Sequence, residues 1–95
     1  MDEYDKRHII RLFTHYLEKH LGYLGYRVDI RSKKNSIVLT CYAYTSKDEE
    51  IFLKYMSNLC TENKILYKTY LTATVSITEE DFINLYAILK LKGEK

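Results

Sequence analysis

Ile37-Val38-Leu39-Thr40-Cys41-Tyr42-Ala43-Tyr44 alternates between two kinds of side chain, and this alternation decides the fold. A strand turns successive side chains to opposite faces. One face therefore carries Ile37, Leu39, Cys41 and Ala43, and the other carries Val38, Thr40, Tyr42 and Tyr44. The same period returns in Tyr70-Leu71-Thr72-Ala73-Thr74-Val75-Ser76-Ile77. There Leu71, Ala73, Val75 and Ile77 oppose Tyr70, Thr72, Thr74 and Ser76. Upstream, Tyr26 to Ser32 sets Tyr26, Val28 and Ile30 against Arg27, Asp29 and Arg31. Lys33-Lys34-Asn35-Ser36 is a polar turn between two alternating runs, which predicts a hairpin. The second strand covers about Ser36 to Thr45. The third lies within Ile65 to Ile77, with a bulge at Tyr67 to Tyr70 as one way to start it.

The remaining segments follow the helical period. Ile9, Leu12, Phe13, Tyr16, Leu17, His20 and Leu21 recur at three- and four-residue spacing, so a first helix is expected from about Glu3 to Leu21. Gly22 can take the left-handed conformation that ends it. Ser46-Lys47-Asp48-Glu49 fits a capping box. It opens a second helix running to about Cys60, with Ile51, Phe52, Tyr55, Met56, Leu59 and Cys60 inward. Thr78 caps a third helix whose first turn holds Glu79, Glu80 and Asp81, where the helix dipole favours anions. Phe82, Leu85, Tyr86 and Leu89 are its apolar stripe.

The expected fold class is α+β, in the order α-β-β-α-β-α, as one domain over residues 1–95. A right-handed crossover through the second helix places the third strand beside the first. The expected sheet is three-stranded and antiparallel, in order 2-1-3, with the helices on its apolar face. The opposite face then exposes Arg27, Asp29, Arg31, Thr40, Tyr42, Tyr44, Thr72 and Thr74.

Composition narrows the function classes. The chain has 95 residues, 46% hydrophobic, with net charge +2 and no proline or tryptophan. A core this small is marginal alone, which favours an oligomer. The balance of charge neither demands a polyanion nor excludes one, because charge can be segregated onto one face. No apolar run is long enough to span a bilayer, and no leader pattern opens the chain. A cytoplasmic protein is expected, in the host cytoplasm if the chain is viral. In style the whole chain is similar to small orphan proteins of archaeal viruses and phages, with no motif behind the likeness.

Four groups of residues are candidates for chemistry. The open sheet face, with Arg27, Arg31, Thr40, Tyr42, Tyr44, Thr72 and Thr74, is a candidate surface for a protein or a nucleic acid. Tyr and Arg are enriched at interfaces, and open-sheet aromatics can stack bases while Arg27, Arg31, Lys33 and Lys34 meet phosphates. The plain alternative is a solvated face, since Tyr and Thr are good strand formers. Tyr4, His8, Arg11 and His15 share a second stripe on the first helix. His8 and His15 stand two turns apart, too far for paired metal ligands. His20 is expected at the edge of the core. Cys41 and Cys60 are expected to be buried hydrophobes without nucleophilic activation, although a disulfide between them is open. Asp29 and Glu62-Asn63-Lys64 resemble the split acidic pattern of metal-dependent nucleases only superficially. No phosphate-binding glycine loop occurs.

The expected function is a small non-enzymatic protein-binding module, an accessory or anti-defence protein that occupies a host protein surface. A homodimer through the open face or a sheet edge is expected. The alternative is a nucleic-acid-binding protein using the open Tyr/Arg face, and the weaker alternative a metal-dependent nuclease. No cofactor, metal or membrane partner is expected.

Overall fold

Neither proline nor glycine interrupts Glu3 to His20, and this segment forms helix α1 (Glu3–His20). In this computed structural model residues 3–21, 27–70 and 73–93 are described, with side chains over 5–21, 27–70 and 73–89. Phe13 and Leu17, four apart on one helix face, are fully buried, and Ile9, Ile10, Tyr16 and Leu21 pack at their margin. The buried stripe is narrower than the spacing predicts. Leu12 is 41% exposed, and His20 is also exposed.

β1 (Arg27–Lys33) and β2 (Ser36–Tyr42) form the expected hairpin, with Lys33 opposite Ser36. Lys34 makes its turn with φ 54°. Tyr26, expected at the start of this strand, lies outside the described residues, as do Gly22, Leu71 and Thr72. β2 ends at Tyr42, so Ala43 to Thr45 form a connection to helix α2 (Ser46–Glu62). The helix cap is Thr45 rather than Ser46. The Thr45 hydroxyl accepts from the Asp48 amide at 3.2 Å, and the Thr45 backbone is extended, as a capping residue requires.

The far end of α2 closes on a residue that sequence rules do not favour there. The amide of Lys64 reaches the Thr61 carbonyl, and the amide of Ile65 reaches the Cys60 carbonyl at 2.8 Å. These are the two bonds of a Schellman closure. Lys64 occupies its left-handed position with φ 58°, and Ile65 folds down into the core.

The segment expected to hold one third strand holds two. β3 (Lys68–Tyr70) and β4 (Thr74–Thr78) are antiparallel, with Tyr70 opposite Thr74. The chain reverses between Tyr70 and Thr74, and Ala73 leads into β4 with φ 50°. There is no bulge of one continuous strand at Tyr67 to Tyr70. Leu71, Thr72 and Ala73 carry none of the usual turn chemistry, so the alternation runs through the reversal unbroken and conceals it. Helix α3 (Glu79–Gly93) starts directly from β4, capped by Thr78, whose hydroxyl accepts from the Asp81 amide at 3.1 Å.

The sheet is four-stranded and antiparallel, in the order β1-β2-β4-β3. The three-stranded order 2-1-3 is therefore corrected: β4 joins β2, and β1 lies at an edge. The reason lies in side-chain character. β4 alternates Val75 and Ile77, both buried, with Thr74, Ser76 and Thr78, which suits a central strand. β1 carries Arg27, Asp29, Arg31 and Lys33 along its outer face, and β3 is three exposed residues including Lys68. Short or charged strands protect an edge from further pairing. The crossover from β2 through α2 still leads to a parallel strand, β3, with β4 turned back into the gap between them.

Two ββα units thus follow α1: β1-β2-α2 and β3-β4-α3. Their central strands pair antiparallel, with Val38 opposite Ser76. All three helices cover the same sheet face. Val28, Ile30, Ile37, Leu39, Cys41, Val75 and Ile77 form a single core with Phe13, Phe52, Met56, Phe82 and Leu85. The rings of Phe13 and Phe82 stand 4.8 Å apart and join α1 to α3. A Lys6–Glu79 ion pair at 3.4 Å and the Glu79 amide donating to the Asn35 carbonyl at 2.8 Å fix the start of α3.

Candidate functional site

The uncovered face of the sheet follows directly from the register. Four rows cross it. Arg27 faces Tyr42, and Lys33 faces Ser36, which faces Thr78. Between them, Asp29, Thr40, Thr74 and Tyr70 form one row, and Arg31, Val38, Ser76 and Lys68 form the next. Long side chains stand on the edge strands, while Ser, Thr and Val line most of the central ones. The face is therefore a shallow trough, floored by small residues and walled by Arg, Lys and Tyr. The walls are about 14 Å apart, three strand spacings.

Charge is concentrated on this face. Arg27, Arg31, Lys33 and Lys68 stand against the single carboxylate of Asp29, a formal +3, where the whole chain carries +2. Lys34 adds a further cation at the hairpin turn. Asp29 is engaged: the Arg31 Nε donates to its Oδ2 at 2.6 Å. That bond, and the carboxylate beside it, raise the Arg31 pKa further above its ordinary value. Among the described residues no carboxylate pairs with Arg27, Lys33, Lys34 or Lys68. The Arg27 guanidinium lies 5.2 Å from the centroid of the Tyr42 ring, a cation–π arrangement. Thr40 and Thr74 hydroxyls meet at 3.2 Å across the floor.

Two depressions open on the trough. One, of about 450 Å³, is lined by Lys33, Lys34, Ser36, Val38, Tyr70 and Ser76. The other, of about 430 Å³, is lined by Asp29, Arg31, Ser32, Lys33, Val38, Thr40 and Tyr42. Tyr42 and Tyr70 are both about half exposed.

Of the residues expected on this face, Arg27, Arg31, Thr40, Tyr42 and Thr74 come together there. Thr72 lies outside the described residues. Tyr44 does not join them; it stands beyond the end of β2, 90% exposed, in the connection to α2. Sequence reasoning missed Lys68, which shares the side of Tyr70 but precedes the point from which the alternation fixes a strand. Tyr70 had the correct side but the wrong neighbours.

The other candidates are placed elsewhere. His8, Arg11 and His15 are exposed on α1, and the Tyr4 side chain lies outside the described residues. The His20 ring lies against Tyr16 with 4.0 Å between centroids. Both border a depression of about 330 Å³ in the helical layer with Tyr55 and Glu62. The Tyr55 hydroxyl donates to Tyr16 at 3.3 Å. Burial first, then that bond, push its pKa above the ordinary phenol value. Glu62 ends α2 rather than lying in a loop, on the helical side of the molecule. The structure therefore does not bring it to Asp29, which faces the trough. Among the described residues no group of three His, Cys, Asp or Glu side chains is placed to hold a metal ion. Cys41 and Cys60 are free and buried, and burial raises each thiol pKa to about 11. Among the described residues no helix is long and apolar enough to cross a membrane.

Comparison with known protein families, with curated proteins and with solved structures finds no match to this chain.

Proposed function

We propose that this chain binds nucleic acid through the open face of its sheet. The observation that carries the reading is charge segregation. A formal +3 is gathered on the uncovered face of a chain whose total is +2. Phosphodiester backbones are the polyanions such a face fits, and Tyr42 and Tyr70 offer aromatic surface beside the cations. The same charge argues against that face as a homodimer contact. A twofold contact sets a patch against its own copy, and like charges brought together oppose association.

The test is a titration of labelled single- and double-stranded oligonucleotides at a series of salt concentrations, followed by fluorescence anisotropy. Binding is expected to weaken steeply with salt. Replacing Lys33, Lys34 and Lys68 together with alanine is expected to lower the slope of log K against log salt by about 2–3, one counterion-release increment of 0.7–0.9 per lost contact. No binding at low salt removes the reading.

A second reading, a protein-binding module that occupies the surface of a partner, rests on a different observation. Tyr44 and Leu66 are 90% and 88% exposed and contribute to neither the core nor the trough. They flank opposite ends of α2, so they would serve a partner lying along that helix. Light scattering of the pure chain tests self-association, and co-purification with Tyr44→Ser and Leu66→Ser controls tests a foreign partner.

A further inference from the structure

The two depressions on the trough are similar in more than volume. Each contains one half-exposed tyrosine: Tyr70 in one and Tyr42 in the other. Lys33 and Val38 border both. The arrangement is a pair of neighbouring pockets, each with an aromatic ring, that share a cation at their common border.

Resting on the nucleic-acid reading above, we infer that the face takes a single strand rather than a duplex. One base lies on Tyr42 and another on Tyr70, across Thr40 and Thr74, and Lys33 at the shared border of the two depressions meets the continuing backbone. Spacing decides between the two forms. Tyr42 and Tyr70 lie two strands apart and one row apart along the sheet, about 12 Å between their Cα atoms from ordinary sheet dimensions. Stacked bases in a duplex follow each other at 3.4 Å and hide their faces from side chains. An extended strand exposes those faces and can separate its bases to match the tyrosines. The floor agrees. Ser36, Val38 and Ser76 are too short to reach base edges inside a groove, but they leave room for a base lying on the sheet.

The experiment compares single strands of DNA and RNA with the matched duplexes, using wild type and four variants: Tyr42→Leu, Tyr70→Leu, Tyr42→Phe and Tyr70→Phe. Leucine keeps bulk and removes the ring face; phenylalanine keeps the ring. Single strands are expected to bind at least tenfold more tightly than duplex. Each leucine variant is expected to lose about tenfold in single-strand affinity, and each phenylalanine variant to stay within about threefold of wild type. Thermal melts identify any variant that does not fold, and its phenylalanine counterpart then carries the comparison against the remaining leucine variant. Equal affinity for duplex, or leucine variants that bind as wild type while Lys33→Ala weakens binding, overturns the two-pocket inference and leaves the nucleic-acid reading standing. Absence of binding to every oligonucleotide at low salt removes both.

Discussion

Among the described residues, three other than glycine take a left-handed backbone: Lys34, Lys64 and Ala73, with φ of 54°, 58° and 50°. Each stands where the chain changes direction, and each lacks the residue type that announces such a change. Lys64 is the clearest case, because the closing bonds from Lys64 and Ile65 to Thr61 and Cys60 fix its conformation. A left-handed residue with a Cβ costs about 1–2 kcal/mol. Glycine there relieves that strain but adds about 0.5–1 kcal/mol of unfolded-state freedom. Lys64→Gly is therefore expected to stabilise the protein by about 0.5–1 kcal/mol, read as a rise of a few degrees in the thermal midpoint. An unchanged or lower midpoint would show that the Lys64 side chain contributes more than its backbone costs.

At the scale of elements, the caps and the turns separate what was legible from what was not. Thr78 before Glu79-Glu80-Asp81 is a helix start readable from residue types alone, and the structure has it. The start of α2 is displaced by one residue, because Thr45 and Ser46 are both competent caps and only the entry angle of the chain selects between them. Thr45→Ala is expected to cost about 1 kcal/mol in chemical denaturation, and Ser46→Ala only a few tenths. The reverse order would return the cap to Ser46. The hairpin β1–β2 was legible because Lys34-Asn35 breaks two alternating runs. The hairpin β3–β4 was not, because Leu71-Thr72-Ala73 prolongs the alternation across the reversal. That one hidden turn accounts for the missing strand and the wrong sheet order.

At the scale of the whole molecule, one core and one uncovered face divide the chain between stability and recognition. Burial separates neighbours that the helical period groups together. Phe13 is 2% exposed and packed on Phe82, whereas Leu12 is 41% exposed. Phe13→Ala is expected to cost about 3–5 kcal/mol, a large share of the about 5–14 kcal/mol available to a 95-residue domain. Leu12→Ala is expected to cost less than about 1 kcal/mol. Urea denaturation of the two variants checks both, and a comparable loss for Leu12→Ala would place that side chain in a contact absent from the monomer.

The sequence by itself determined the α+β class, the three helices, the first hairpin and which side of β1, β2 and β4 is apolar. These follow from periodicity and local capping chemistry, which are properties of neighbours along the chain. Tertiary structure alone decided that β4 lies beside β2, that β1 and β3 form the walls, and that Lys33 borders both the Tyr42 and the Tyr70 depressions. Strand order depends on which edges meet once the apolar faces are buried together. That is a competition among distant segments, and no local pattern of residues records its outcome.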